Sequence, residues 1–422
     1  MKVLVRGPVL TRTGYGEHVR FLLRSLKTVE EHIDIYIIPV GWGQTGWDVQ
    51  SDEEREWIDG LIAKTQAALL QQVQFDMTIQ VSIPNEWEKL APINIGVTAG
   101  IETTKVAPQW VEKANIMDSI IVPSEHSKYV FENSTYSVTI KETGQVVPDY
   151  KCTKPIKVIS YPVKDYPSCE LDLDFETDFN FLNVAQWGPR KNLDNCIKWF
   201  VEEFYDQEVG FVLKTNLAKN SLIDRNWCQS KITNLLSEEK YKDRKCKIYL
   251  LHGDMTEQEL HQLYRHPKIK ALITTSHGEG FGLPMFEASY EGTPVIAPDW
   301  SGYTDFMHMP IKDKKGKVKN KPKFCKVDFS LLDVQKEAVW DGVIQADSKW
   351  AFADQGSFKM KLREVHKDYG RFKKQAKELQ AYNKENLSAQ KQYSAFVDAI
   401  FPNKDEWITD EDFDELFDDL VG

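Results

Sequence analysis

Long apolar runs are the first thing this sequence lacks. The stretch Ile33 to Val40, among its most hydrophobic, is interrupted by Asp34 and Tyr36 and falls far short of a bilayer span. The opening Met1-Lys2-Val3-Leu4-Val5-Arg6 has neither the apolar core nor the small-residue cleavage site of a secretory signal, so a cytoplasmic protein is expected. Cysteine is sparse: Cys152, Cys169, Cys196, Cys228, Cys246 and Cys325 are scattered, with no Cys-x-x-Cys and no clustered histidine. That spacing argues against a zinc site or a disulfide framework and leaves reduced structural thiols. No internal repeat and no long low-complexity tract is present. A basic excess is also missing, since the net charge is −11, which argues against indiscriminate nucleic-acid binding.

What is present is ordinary globular material in quantity. At 422 residues, 41% hydrophobic and 28% charged, the chain has enough apolar mass for two cores. Lys2–Arg6 reads as a short strand. Val19, Leu22, Leu23 and Leu26 recur at helical spacing, and Ile33–Val40 reads as a second strand. Strand, helix, strand at this spacing implies a parallel α/β unit. Further strands are expected at 76–81, 93–98 and 119–122, with a helix over 52–73. Around 151–178 the pattern weakens among prolines and acids, which marks a domain end and linker. A second series follows: strands at 179–185, 210–215, 247–251, 270–275 and 294–297, with helices at 193–205 and 284–291. Thr256 with Glu259 has the spacing of a capping box, and Pro284 is expected at the first helical position. The expected fold class is α/β, two Rossmann-like doubly wound domains facing a central cleft. The N-terminal one spans 1–165 and the C-terminal one 179–385, with a helix and acidic tail over 386–422. Ligands of such folds lie beyond the carboxyl ends of the strands.

The most informative segment reads Ser276-His277-Gly278-Glu279-Gly280-Phe281-Gly282-Leu283-Pro284-Met285-Phe286-Glu287. A strand ends, three glycines follow within five residues, and a helix begins. Such glycines let backbone amides approach an anion, and the helix N-terminus adds partial positive charge. Glu279 and Glu287 repel phosphate but accept hydrogen bonds from hydroxyl groups. A diphosphate joining two polyhydroxylated rings would engage all of these at once. Upstream, Gly188-Pro189-Arg190-Lys191-Asn192 puts two cations at the start of another strand–helix connection, suited to charge-assisted phosphate binding.

The acidic pair with its glycine spacing resembles the Glu-x7-Glu signature of the retaining glycosyltransferases of family 4, which have the GT-B fold. The resemblance implies that Glu279 contacts sugar hydroxyls, that Glu287 contacts the nucleotide ribose, and that amides near Gly280, Phe281, Gly282 and Leu283 hold the diphosphate. It places Arg190 and Lys191 on the same diphosphate, and Gly253, in His252-Gly253-Asp254, beside the nucleobase. Many relatives carry a separate Arg several residues before this Lys, where Ala185, Gln186 and Trp187 stand here. In the first half, Gly14-Tyr15-Gly16-Glu17 resembles the family's N-terminal glycine loop, so Gly14 and Gly16 join the donor-binding set. Glu102, in Ile101-Glu102-Thr103-Thr104, is the candidate carboxylate on the acceptor side, with helix capping as its alternative. His126 reads as structural. The implied catalytic set is thus Glu279, Arg190, Lys191 and Glu102.

The implied reaction moves a sugar from a nucleotide diphosphate sugar, expected to be a UDP-sugar, with retention at the anomeric carbon. The co-substrate is the only small molecule expected; no cofactor and no metal is required when fixed cations serve the diphosphate. The acceptor is open. Residues 312–326 hold eight lysines and one acid, a strip able to steer a polyanion. Enzymes of this fold in tailed bacteriophages decorate hydroxymethylated bases in DNA, and this chain's unanchored form resembles that use. A hydroxymethylcytosine in DNA is therefore the expected acceptor, in a host cytoplasm. A glycan or lipid-linked saccharide is the alternative, and a non-catalytic nucleotide-sugar binder is the rival of another class. No membrane partner is expected. The last nineteen residues contain nine acids, with Phe413, Leu416, Phe417 and Leu420 on one helical face, a possible docking helix for a protein partner or a segment that folds back.

Overall fold

A computed structural model describes residues 1–43, 45–48, 51–139 and 143–403. The acidic tail over 404–422 lies outside the described residues. The chain divides into two compact units. The first takes in Met1–Pro162, Val339–Ser348 and the chain from Leu387; the second takes in Val163–Ala338 and Lys349–Asn386.

Each unit is built on a six-stranded sheet whose neighbours are all parallel. In the first, the spatial order is Asp34–Pro39, Lys2–Gly7, Met77–Val81, Ile93–Val97, Ser119–Val122, Ile156–Val158. In the second it is Lys247–Leu251, Gly210–Asn216, Asn180–Gln186, Ile269–Ile273, Val295–Pro298, Cys325–Val327. These strands are continuous apolar runs, as expected of sheets covered on both faces. Val3, Val5, Ile79 and Val97 are fully buried in the first unit, and Phe181, Phe211 and Ile273 in the second. The helix Leu193–Phe204 lays Ile197, Phe200 and Phe204 on the second sheet, where Phe200 and Phe204 ring centroids lie 5.3 Å apart.

The course of the chain differs from the expectation in four places. The weak stretch over 151–178 hides a strand, Ile156–Val158, that closes the first sheet. Beyond Pro162 the chain packs with the second unit, where the Tyr166 ring lies 4.6 Å from that of His261. The helix Ala389–Ile400 packs on the helix Gly14–Lys27 of the first unit, with Phe396 edge-on to Phe21 at 5.0 Å. Residues 339–348 also join that unit, and Asn85 donates to the Gly342 carbonyl at 3.0 Å. Apolar spacing reports burial but not which sheet buries a helix, so these returns leave no mark in the sequence pattern.

The capping box is present as expected, with Thr256 and Glu259 each accepting from the other's backbone. The helix expected to open on Pro284 opens one residue earlier, at Leu283. Proline is equally suited there, because the first amides of a helix have no partner inside it. Among the described residues no helix is long and apolar enough to cross a membrane. All six cysteines are free, and five are buried.

Candidate functional site

In the second sheet the chain first runs outward from Asn180–Gln186 through Gly210–Asn216 to Lys247–Leu251, then returns to the other side at Ile269–Ile273. The order therefore reverses between Asn180–Gln186 and Ile269–Ile273, and the connections leaving those two strands diverge and open a crevice between them. They are the segments carrying Arg190-Lys191 and Gly278–Gly282. Asn183, Ala185, Lys191, Thr274, Glu279 and Met285 line the resulting small cavity.

The two connections are tied together by their backbones. Pro189–Lys191 forms a single 3-10 turn that ends on Asn192 with φ at 52°. Thr275 Oγ1 donates to the Asn192 carbonyl at 3.0 Å, and the His277 amide donates to the Arg190 carbonyl at 2.8 Å. His277 is fixed in turn: its Nδ1 lies 2.6 Å from the Ala351 carbonyl, and its ring stacks on Trp350 at 4.9 Å. A carbonyl only accepts, so Nδ1 carries the proton, and burial holds the imidazole below its ordinary pKa.

Glu279 sits where these ties converge. Arg190 donates to its Oε2 at 2.8 Å and Lys191 to its Oε1 at 2.6 Å. Ser276 Oγ donates to Oε1 at 2.7 Å, while the Glu279 amide donates to Ser301 Oγ at 3.0 Å. Burial alone would raise this carboxyl, but Arg190 and Lys191 outweigh it and hold the group down at about 2. It is therefore ionised throughout the physiological range. The sequence assigned Glu279 to hydroxyl groups and Arg190-Lys191 to a diphosphate; the structure brings all three into one hydrogen-bonded cluster.

The glycine turn is held open by its neighbours. Gly282 stands at φ 97°, a left-handed conformation that favours glycine, and a Cβ there would meet Met285 Cε at 2.7 Å. Gly302 packs against the turn so closely that a Cβ would lie 2.0 Å from the Gly280 carbonyl oxygen. The helix Leu283–Tyr290 then starts with no side-chain cap and no acid in its first turn. The Phe281 side chain points into the core, 4.8 Å from the ring of Phe306, so backbone is what this residue can offer a ligand.

Glu287 lies one turn into that helix, with Tyr264 Oη donating to its Oε2 at 2.8 Å. Its surroundings are the reverse of those of Glu279. Burial pushes its pKa up to about 7, with Glu257 adding to the rise and His261, Tyr264 and Lys164 opposing it. Behind it, His261 Nδ1 lies 2.9 Å from Glu291 Oε1 in a fully buried pair.

Gly253 follows the strand Lys247–Leu251 at φ 115°, and its carbonyl accepts from Lys214 Nζ. The adjoining His252 Nε2 lies 2.9 Å from Asp224 Oδ1. Asp224, Cys228 and His252 are the group of potential metal ligands among the described residues. The Asp224 carboxylate already accepts from the amides of Leu217, Ala218 and Lys219 at 2.7–2.8 Å. Its chemistry here is that of a loop anchor, which binds 217–219 to 252–253.

Gly14, Gly16 and Glu102 belong to the first unit and gather around Tyr15. The Tyr15 hydroxyl lies 2.7 Å from Thr98 Oγ1 and accepts from the Gly100 amide at 3.0 Å, while the nearby Glu102 charge adds to the rise of the phenol to about 12 caused mainly by burial. The helix Pro108–Asn115 that follows Glu102 has Ala107 at its cap position, with no side-chain cap. His126 is held down at about 4 by burial, in keeping with a structural residue.

Three contributors escaped the sequence reading. Ser276 was quoted within the motif without a role, and its place three residues before Glu279 was the available signal. Ser301 opens Ser301-Gly302-Tyr303-Thr304-Asp305, a segment expected at the cleft rim, but no local pattern assigns either Ser301 or Asp224 its contact.

No protein-family model matches this sequence, and no curated protein does. Solved structures do resemble it. Sucrose-phosphate synthase from Thermosynechococcus elongatus aligns over 93% of this chain and 96% of its own, at 13% identity and a TM-score of 0.58. A glycosyltransferase from Rickettsia africae aligns over 95% and 98%, at 12% identity and a TM-score of 0.56. HepE of Anabaena, solved in complex with UDP-glucose, aligns over 95% and 99%, at 13% identity and a TM-score of 0.55. The fold is GT-B.

Proposed function

We propose that this chain is a glycosyltransferase that moves a sugar from a UDP-sugar to an acceptor hydroxyl with retention of anomeric configuration, and that the acceptor is a hydroxymethylcytosine in DNA. The observation that carries the reading is the convergence of Arg190, Lys191 and Glu279 at the strand-order reversal, beside a helix N-terminus without a cap. Two cations and a helix N-terminus without a side-chain cap suit a diphosphate; an ionised carboxylate in contact with them suits the hydroxyls of the attached sugar. UDP as the nucleotide is supported by the complex of HepE with UDP-glucose.

In this reading the bond from the anomeric carbon to the diphosphate oxygen breaks, and the acceptor oxygen bonds to the same face of that carbon. The acceptor proton passes to the departing diphosphate, so no separate base is required. Negative charge grows on the leaving oxygen, where Arg190, Lys191 and the amides of the turn over 280–283 stabilise it. These fixed cations make a metal unnecessary. Glu287 accepts from the ribose hydroxyls, the backbone around Gly253 flanks the base, and Glu102 serves the acceptor. Gly14 and Gly16 complete the donor-binding set.

The test offers purified protein UDP-, GDP- and ADP-sugars together with hydroxymethylcytosine DNA, unmodified DNA and glycan acceptors. UDP release and a mass gain of one sugar per modified cytosine are expected. Nucleotide release with glycans alone overturns the acceptor, and no release with any pair leaves a binding protein.

A further inference from the structure

The lysine-rich segment folds into an element that the donor site does not use. His308–Lys312 and Val318–Pro322 form a two-stranded antiparallel ribbon, separate from the six-stranded sheet. Met309 lies opposite Lys321, and Ile311 opposite Lys319. Residues directly opposite in such a pair share a face, and positions two apart on one strand share it as well. Lys319 and Lys321 therefore share one face, about 7 Å apart, and Lys317 adjoins them at the turn, where its carbonyl accepts from the Asp313 amide at 2.9 Å. All three are exposed.

The base and tip of the ribbon differ in charge. At the base, Lys323 pairs with Glu378 at 2.5 Å, while Lys326 and His308 meet Asp299 at 2.6 and 3.3 Å. These ties fix the ribbon to the body of its unit. At the tip, the lone acid Asp313 is turned inward and accepts from the amides of Lys315 and Lys317 at 2.8 and 3.0 Å, closing a turn over Gly316 at φ 79°. Among the described residues no carboxylate pairs with Lys312, Lys314, Lys315, Lys317, Lys319 or Lys321. In a chain of net charge −11, six exposed lysines on one ribbon form a local exception.

We propose that this ribbon is a nucleic-acid arm in which Lys317, Lys319 and Lys321 contact successive phosphates along one strand of DNA. The inference rests on the reading of DNA as acceptor and names the surface that holds it. Evenly spaced point charges suit a backbone of evenly spaced phosphates, and a two-stranded ribbon also has the width that a major groove admits. The turn Lys314-Lys315-Gly316-Lys317 carries no aromatic or long apolar side chain, which disfavours a bilayer, where such groups anchor the contact. Lysine contacts to phosphate position a duplex without reading its sequence, so the arm binds modified and unmodified DNA alike.

The experiment uses the full chain and a fluorescent unmodified duplex without donor, with anisotropy followed across a salt series. Wild type is expected to bind, and the triple variant K317A/K319A/K321A to bind at least about tenfold more weakly, with the slope of log affinity against log salt smaller by about 3. A control triple variant at exposed lysines elsewhere, K89A/K151A/K245A, is expected to match wild type. Equal weakening by both triples reduces the effect to net charge and overturns the proposal, as does unchanged binding by the ribbon variant. Tighter binding to vesicles of anionic phospholipid than to duplex overturns it also. UDP release from UDP-sugar with a small hydroxylated acceptor is measured in parallel, and the ribbon variant is expected to retain it. DNA binding through the ribbon without any UDP release would end the sugar-transfer reading and leave the arm. UDP release without DNA binding would end the arm and leave the transferase with another acceptor.

Discussion

The chain builds a strand–glycine–helix turn twice from the same parts and finishes the two differently. After Lys2–Gly7, the helix Gly14–Lys27 opens with Thr13 as its cap, whose Oγ1 accepts from the Gly16 amide at 3.0 Å, and with Glu17 in its first turn. Arg20 reaches back to the Val9 carbonyl at 2.7 Å, so this turn is braced by its own side chains. After Ile269–Ile273, the helix Leu283–Tyr290 opens with neither side-chain cap nor acid, and Glu279 before it is paired with Arg190 and Lys191. A cap and a first-turn acid are worth roughly 1 kcal/mol each to a helix. Leaving them out forgoes that stability and keeps positive potential for an anion. The lesson is that the finish of the turn, more than its glycines, sets how much positive potential it keeps for a bound anion.

The widest separation between the two turns is expected from Lys191→Ala and Glu279→Gln. In Lys191→Ala, loss of a cation beside the leaving group should lower kcat by about 100-fold or more; in Glu279→Gln, loss of the carboxylate that grips the sugar hydroxyls should lower it as well. With Lys191→Ala the affinity for UDP should fall too. With Glu279→Gln it should hold or rise, because Arg190 and Lys191 are released from their carboxylate. Isothermal titration with UDP beside steady-state turnover distinguishes them; weaker UDP binding in Glu279→Gln would mean that the carboxylate organises the cations rather than the sugar.

Glycine replacement tests the same contrast through stability. In Gly16→Ala the new Cβ would lie 2.1 Å from the Thr11 carbonyl oxygen, a backbone atom with nowhere to go. A loss of about 3 kcal/mol is expected. Gly282→Ala meets the movable end of Met285 but forces a methyl group onto a left-handed residue, at about 2 kcal/mol. Its distinctive outcome is a loss of UDP affinity of about tenfold or more, since the amides that follow would shift. Thermal melts rank the first effect, and UDP titration isolates the second. Thr13→Ala, which removes only the cap, should cost about 1 kcal/mol; a larger drop would show that Thr13 supports more than the helix end.

Much of the second turn was legible from residues 274–294 because its parts are local: strand, glycines, helix start and two carboxylates eight residues apart. The capping box at Thr256 was legible for the same reason. The pairing of Glu279 with Arg190 and Lys191 was not, because it joins positions 88 and 89 residues apart, and the sequence distributed those groups over different parts of a ligand. Ser301 and Asp224 act across shorter but still non-local separations, 22 and 28 residues. In the fold, the parallel strands announced themselves by apolar runs, whereas Ile156–Val158 is three residues long among prolines and gave no periodicity to read. The return of Ala389–Ile400 to the first unit depends on Phe396 meeting Phe21, a choice of partner that an amphipathic pattern leaves open.

The smallest effect separates the two glutamates of the second turn by pH. Glu287 is pushed up to about 7, chiefly by burial, whereas Arg190 and Lys191 overcome burial to hold Glu279 at about 2. A ribose hydroxyl donates to a carboxylate better than to a carboxylic acid. Affinity for UDP-glucose, whose diphosphate has no group titrating near neutrality, should therefore rise severalfold between about pH 6 and 8, and Glu287→Gln should flatten the profile. Stability moves the other way at this residue. The folded chain keeps the Glu287 proton after the unfolded chain has lost it, so the contribution of Glu287 declines as pH rises from the usual carboxylate range through about 7. The contribution of Glu279 is present above that range and disappears as pH falls towards 2. A UDP-glucose profile that stays level in wild type would mean that Glu287 meets no hydroxyl, and the ribose would then need another partner on the helix Leu283–Tyr290.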